Sequence, residues 1–410
     1  MRTAVFLLWV SALAAGDIGQ LQKLIESRRF FDLRSALDQP GWNGRETLFY
    51  RGAVACRFGK EADGIGLLRE FLSADPGPDL ARKAHEELAS AFDRTGRYKE
   101  AAQEWSEALR LAPQNDPDRE ENENTRLLLS SLADVPPPSA DVGDGGSLRA
   151  VRNKLGSWNV PVQMNGVTGE WIFDTGANIS TISESEAKRM GLAVRDSAAY
   201  VTGSTGKRNS LRVAVAADLQ CGAANIHNVI FLVIADSSLY IPPVHVQITG
   251  ILGLPALRAF GRVAVARDGS VHIHPHDSTP AGAPNLFLDG ESPIVEIAHG
   301  GHRLQMFLDT GANATTLFPA FRAAMTAEER STLKTRKERV GGAGGVLQRK
   351  VTTVPLLQIE ISGTAVNLKK LSLLPEMPQG DARYRDGVIG MDALWSGFLL
   401  DFDSMRLVVE

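Results

Sequence analysis

Cysteine is almost absent from this chain: Cys56 and Cys221 are the only two in 410 residues. Two thiols so far apart in sequence build no disulfide framework, and they read as small buried hydrophobes. Excess charge of one sign is also lacking. The formal net charge is −4 and no Lys/Arg cluster interrupts it, which excludes a nucleic-acid surface. Long apolar runs are missing too, since a spanning helix needs about 20 residues and no stretch comes close. No stable membrane anchor is therefore expected. The longest apolar run opens the chain, where Arg2 precedes Ala4 to Val10 and the small-x-small triplet Ala12-Leu13-Ala14. That pattern predicts a cleaved secretory leader over residues 1–16 and export to a periplasm or the outside. No cysteine follows it to carry a lipid.

The length calls for two or three domains. Residues 17–132 place apolar side chains at three- and four-residue spacing, which predicts helices. They also repeat. Asp93-Arg94-Thr95-Gly96-Arg97-Tyr98, followed by Ala101, Trp105, Ala108 and Pro113, is echoed upstream by Gly59, Gly64, Leu68, Phe71 and Pro76. Gly96, Trp105 and Pro113 all stand 37 residues after their counterparts (96 − 59, 105 − 68, 113 − 76). A third, weaker unit begins at Leu21, with Arg29-Phe30-Phe31 at its turn. Helix pairs closed by proline at this period resemble the tetratricopeptide repeat, with Leu88, Ala89 and Phe92 also at the expected places. Such units bury their apolar faces only by stacking. The groove they form either takes a peptide or protein partner or packs on the rest of the chain.

From Gln114 the text turns acidic and Asn-rich, and over residues 133–146 Pro136-Pro137-Pro138 and Gly143 stand among few apolar residues. Proline stops regular structure and glycine loosens the chain, so this stretch is expected to be an interdomain linker. After it the period changes. Val160 to Met164, Leu211 to Ala216, Val229 to Ile234, Val263 to Ala266, Ile294 to Ile297 and Leu399 to Phe402 are short β-branched runs between Gly, Asn and Asp. Short helices are expected at Glu184 to Met190 and at Pro319 to Leu333. The fold class is thus an all-α repeat domain followed by an all-β region in two lobes, residues 147–280 and 281–410.

The β region carries a second duplication. Trp171-Ile172-Phe173-Asp174-Thr175-Gly176-Ala177-Asn178 returns as Met306-Phe307-Leu308-Asp309-Thr310-Gly311-Ala312-Asn313, 135 residues later (309 − 174). Each copy leads to an apolar pair between glycines, Gly250-Ile251-Leu252-Gly253 and Gly387-Val388-Ile389-Gly390. The spacings from aspartate to first glycine are 76 and 78 residues (250 − 174, 387 − 309). A Gly-rich turn lies between, near Gly203 and near Gly342. Three features in one order at matched spacing mark a duplicated β unit. In each copy an apolar strand delivers an aspartate from the core, and the following glycine lets another backbone come close. Two such loops facing each other would put both carboxylates in one site, where they hold a single proton between them.

This duplicated Asp-Thr-Gly-Ala motif resembles the aspartic peptidases of the pepsin and retropepsin clan, across roughly residues 150 to 410. The resemblance implies a two-lobed β fold with pseudo-twofold symmetry, Asp174 and Asp309 as the catalytic dyad, and neither metal nor organic cofactor. It implies support from Thr175, Gly176 and Ala177 and from Thr310, Gly311 and Ala312, the threonines bonding across to the opposite loop. It also implies an endopeptidase acting on extended polypeptide, with Tyr200, Gly203 and Gly342 as flap candidates. The halves are short, as in a fused retropepsin dimer, and alanine replaces the hydroxyl residue that pepsins carry after Asp-Thr-Gly. Losing that donor raises a carboxyl pKa, so an optimum less acidic than a pepsin's is expected.

Other signals carry less. His272, His274 and His276 alternate along a strand end, which could suit zinc, but Pro275 and the lobe junction favour a solvated connector. Asn178-Ile179-Ser180 and Asn313-Ala314-Thr315 are formal glycosylation sequons, and their place beside the motif makes them catalytic-loop residues. The rival function is an exported peptide-binding scaffold that works through the helical repeats while its peptidase-like domain stays inert.

Overall fold

The computed structural model describes residues 17–202, 208–276, 282–342 and 345–410. The expected leader at residues 1–16 and the flap candidate Gly203 lie outside the described residues.

Three helix pairs come first: α1 (Ile18–Glu26) with α2 (Phe30–Leu37), α3 (Glu46–Arg57) with α4 (Glu61–Leu72), and α5 (Pro78–Arg94) with α6 (Tyr98–Leu111). Each pair turns through one left-handed residue, and the equivalent positions are Arg28 (φ 52°), Gly59 (φ 76°) and Gly96 (φ 68°). Glycine adopts this conformation without strain and arginine does not. Arg28 therefore hides the first repeat from a search for glycine, yet it is in place because its side chain is used. It bridges to Asp289 and, at 2.9 Å, to Asp381 of the second β lobe.

The acidic run is not linker: it opens α7 (Arg119–Ser131), inside the residues 17–132 expected to be helical. Glu120 and Glu121 sit in its first turn, where carboxylates favour the helix dipole, and Leu129 and Leu132 are buried against the repeats. Residues 133–146 are not a free tether either. Ser139–Asp141 adds a strand to the first lobe, Ala140 pairing with Ile226, and Gly146 opens a further strand. Proline and glycine raise the cost of regular structure, but tertiary pairing outweighs it here. The second expected helix is also split. Pro319–Ala323 is a 3₁₀ turn and Ala327–Ser331 a short helix, restarted by a capping box between Thr326 and Glu329.

The β region forms two lobes whose sheets contain nine and eight described strands, and a five-stranded sheet joins them. The joining sheet takes Gly146–Arg149, Ser270–His274 and Arg262–Ala266 from one half and Gly397–Asp401 and Arg406–Val409 from the other. Its central pairs, Val263 with Leu400 and Val265 with Phe398, exchange under the 135-residue offset of the repeat. The pairing is thus twofold symmetric, and the lobes share one continuous apolar core.

The helical domain breaks this symmetry. On one face of the second lobe, Phe287, Ile294, Phe307 and Val388 stand in a row across four paired strands. The first-lobe counterparts are Val151, Asn159, Ile172 and Ile251. Phe287, Ile294 and Phe307 of this row pack into the helical core, where Phe287 meets Phe30, Phe31 and Phe58 at ring distances of 5.1–5.7 Å. In the other row Val151 is 53% exposed, so only the second half docks through this row, while the first lobe meets the helices through Val213, Ile230 and Leu232. Buried Asp289 accepts from Arg57 and Arg28 at the same seam.

Candidate active site

Each aspartate stands at the end of an apolar strand held by its neighbours. Val167–Phe173 runs parallel to Gly250–Leu252, with Ile172 opposite Ile251, and His302–Leu308 runs parallel to Gly387–Ile389, with Phe307 opposite Val388. The pairing continues one residue further. Asp174 N–H donates to the Leu252 carbonyl at 3.1 Å and Asp309 N–H to the Ile389 carbonyl at 3.0 Å. The second glycine of each bracket exists for the loop that passes it. A Cβ on Gly253 would lie 2.7 Å from the Ala177 carbonyl oxygen, and one on Gly390 would lie 2.6 Å from the Ala314 backbone. These glycines donate to the hydroxyls of Ser180 (3.0 Å) and Thr315 (3.1 Å). The sequon hydroxyls are thus spent inside the fold.

The two loops interlock through their threonines. Thr175 Oγ1 donates to the Leu308 carbonyl at 2.8 Å and accepts from Thr310 N–H at 3.1 Å. Thr310 Oγ1 donates to the Phe173 carbonyl at 2.9 Å and accepts from Thr175 N–H at 3.0 Å. Both threonines are buried, so four polar groups are satisfied only by this exchange.

The carboxylates meet above the interlock. Gly176 N–H donates to Asp174 Oδ1 at 2.8 Å and Ala312 N–H to Asp309 Oδ1 at 2.9 Å. A Cβ on Gly176 would stand 2.6 Å from the carboxylate of Asp309, and one on Gly311 would stand 2.5 Å from that of Asp174. Each glycine thus makes room for the opposite aspartate. Burial pushes the Asp174 carboxyl up to about 7, and the negative charge of Asp309 adds to the push. Burial raises Asp309 as well, against hydrogen bonds from Ala312 N–H and the Asp174 carboxyl. A pair so placed binds one proton jointly across a wide pH range.

These distances join strands 135 residues apart, as the repeat demanded. Residues 160–256 and 295–393 match the family model described as aspartyl protease. The β region belongs to that family. Residues 82–115, spanning most of α5 and all of α6, match the tetratricopeptide repeat. No curated protein matches the chain.

The peptidase halves are not equally furnished around the dyad. Ile172 and Ile251 pack with Leu239, Ile241 and Ile248, from the segment just before Gly250. In the second half the Arg385 guanidinium carbon stands 4.9 Å from the centroid of the Phe307 ring, which also packs against the helical core. Asp392 accepts from both the amide and the hydroxyl of Thr315 at 2.8 and 2.6 Å. Sequence reading missed it because Pro255 stands at the matching place in the other half.

Tyr200 is tied to α7. Its N–H donates to Asn124 Oδ1 at 2.8 Å, its carbonyl accepts from Asn124 Nδ2 at 2.6 Å, and its phenol donates to Glu120 at 2.9 Å. Gly342 ends a strand and pairs with Gly345 of the next one. His272 meets Ser147 and His276 meets Asp403, and no cluster fit for a metal occurs among the described residues. Cys56 and Cys221 are both buried and free. No helix among the described residues is long and apolar enough to cross a membrane.

Proposed function

We propose that the protein is an aspartic endopeptidase whose catalytic residues are Asp174 and Asp309. The observation that carries this reading is the mutual approach of the two carboxylates over Gly176 and Gly311. The ionised member of the pair takes a proton from water as its oxygen attacks the scissile carbonyl carbon. The protonated member donates to the carbonyl oxygen as the tetrahedral species forms. When the C–N bond breaks, the leaving nitrogen takes up a proton and the new carboxyl remains, which returns the pair to one proton. Thr175 and Thr310 fix the loops, so the carboxylates need no rearrangement as charge develops.

The substrate is an extended polypeptide, and the helical domain serves as its docking element. In support, a groove of about 530 Å³ runs along the repeats and reaches Asp381, Arg383 and Tyr384 of the second lobe. The chain works after export.

The test is digestion of a diverse peptide mixture in ¹⁸O-labelled water, read by mass spectrometry. Internal cleavage with one heavy oxygen in each new carboxyl terminus is expected. Products released only from chain ends, or an acyl group trapped on the protein, would contradict the reading.

A further inference from the structure

Three bodies meet at one buried point away from the dyad. α4 brings Glu61, α5 brings Asp93 and Arg94, and α6 brings Tyr98. The first lobe brings Arg258 and the second brings Glu291, from the turn after Leu286–Asp289. A cavity of about 160 Å³ opens beside them, walled by Leu128, Leu129, Ile179, Ser180 and Ile230.

The donors at this point turn to Glu61 and to backbone carbonyls. Arg258 donates to Glu61 Oε1 at 3.1 Å and to the Arg94 carbonyl at 3.2 Å. Arg94 donates to the carbonyls of Cys56 (3.0 Å) and Gly290 (3.4 Å), and its Nε stands 3.6 Å from Glu61. Glu61 is thereby satisfied. Glu291 is not: both its carboxyl oxygens are sealed from water and meet no donor among the described residues. Three carboxyl groups face two guanidiniums, so one negative charge is left over if all ionise. An uncompensated buried charge costs several kcal/mol, and a proton is the smallest remedy.

We propose that Asp93 and Glu291 take up one proton when the helical domain docks, and that this proton latches the repeats onto both lobes. Burial acts the same way on each group. It pushes Glu291 up to about 8, the charges of Asp93 and Glu61 adding to the push, and Asp93 up to about 6, in each case against Arg94 and Arg258. The Tyr98 phenol is raised by burial and by both carboxylates, so it stays neutral. A carboxyl whose folded pKa is raised stabilises fully below its ordinary range near pH 4. That stability drains away as pH rises through the folded value, here up to about 8. Since Asn178, Ile179 and Ser180 line the cavity, the latch also abuts the loop that follows Asp174. It does not rest on the peptidase reading.

The experiment uses the full chain, Glu291→Gln and Asp93→Asn, with thermal unfolding and amide exchange followed from about pH 5 to 9. The wild type is expected to lose stability with pH relative to both variants, a difference in which the dyad cancels. Exchange in α5, α6 and the Gly290–Ser292 turn, corrected for intrinsic rate, should quicken on the order of tenfold at the alkaline end in the wild type alone. If one variant fails to fold, the other still removes the excess charge and decides the matter. Parallel profiles for wild type and variant, or quickening spread evenly over both lobes, would overturn the latch.

Discussion

Thr175 and Thr310 exchange two amide-to-hydroxyl bonds across the lobe boundary, and each hydroxyl also donates to the carbonyl that precedes the other's aspartate. The arrangement makes the dyad a property of the joined lobes. Thr175→Val keeps the side-chain shape but orphans Thr310 N–H and the Leu308 carbonyl. At about 1–3 kcal/mol for each buried group left unsatisfied, denaturant unfolding should show a large loss, with activity falling alongside. Thr310→Val should cost a similar amount. The double variant should cost less than the sum of the two, because both act on one network.

Gly176→Ala and Gly311→Ala test the closeness of the carboxylates. Each new methyl would stand 2.5–2.6 Å from the opposite aspartate, well inside contact distance. Peptide hydrolysis should be lost in both. Wild-type rates in either variant would mean that the aspartates sit farther apart in solution.

The pH dependence has a definite sign. Asp174 is raised in the folded protein, so its stabilising contribution is complete below the ordinary carboxyl range and drains away up to about pH 7. Asp174→Asn should therefore gain stability over the wild type as pH rises, with little difference near pH 4. Alanine at 177 and 312 leaves no hydroxyl donor after either Asp-Thr-Gly, so the cleavage optimum should be less acidic than a pepsin's. Thermal melts and rate profiles across pH check the two statements separately.

The dock of the helical domain should matter as much as the core. Phe287→Ala removes a ring held by three phenylalanines, at an expected cost of about 3–5 kcal/mol. Asp289 is held down near 2, because the Arg57 and Arg28 guanidiniums outweigh its burial. Its contribution is present above the ordinary carboxyl range and is lost as pH falls through about 2. Asp289→Asn should destabilise strongly at neutral pH, by about 3–5 kcal/mol, and the deficit should shrink in acid.

Much of this site could be read from the chain because duplication writes the same physics twice. Asp174 and Asp309, their glycines and the bracketed pairs each recur, so chance agreement is excluded without any coordinates. The first helix pair was dimmer, since Arg28 fills a turn position that glycine fills in the next two. The stretch 133–146 misled because proline and glycine report local cost, while Ala140 and Gly146 draw on distant strands for pairing. Whatever belongs to one half alone was hidden: Asp392 under Thr315, the Leu239–Ile248 segment against Ile172, and the apolar row ending at Phe287. Those features arise from breaking the repeat, and a repeat search is blind to them.

The central claim is that two aspartates from two halves form one site. The most direct measurement compares peptide cleavage by the wild type, Asp174→Asn and Asp309→Asn, with folding of each confirmed by its melting transition. Either substitution alone should abolish cleavage, a loss of roughly 10²–10⁴-fold or more, while the fold persists. Full activity in either folded variant would contradict it.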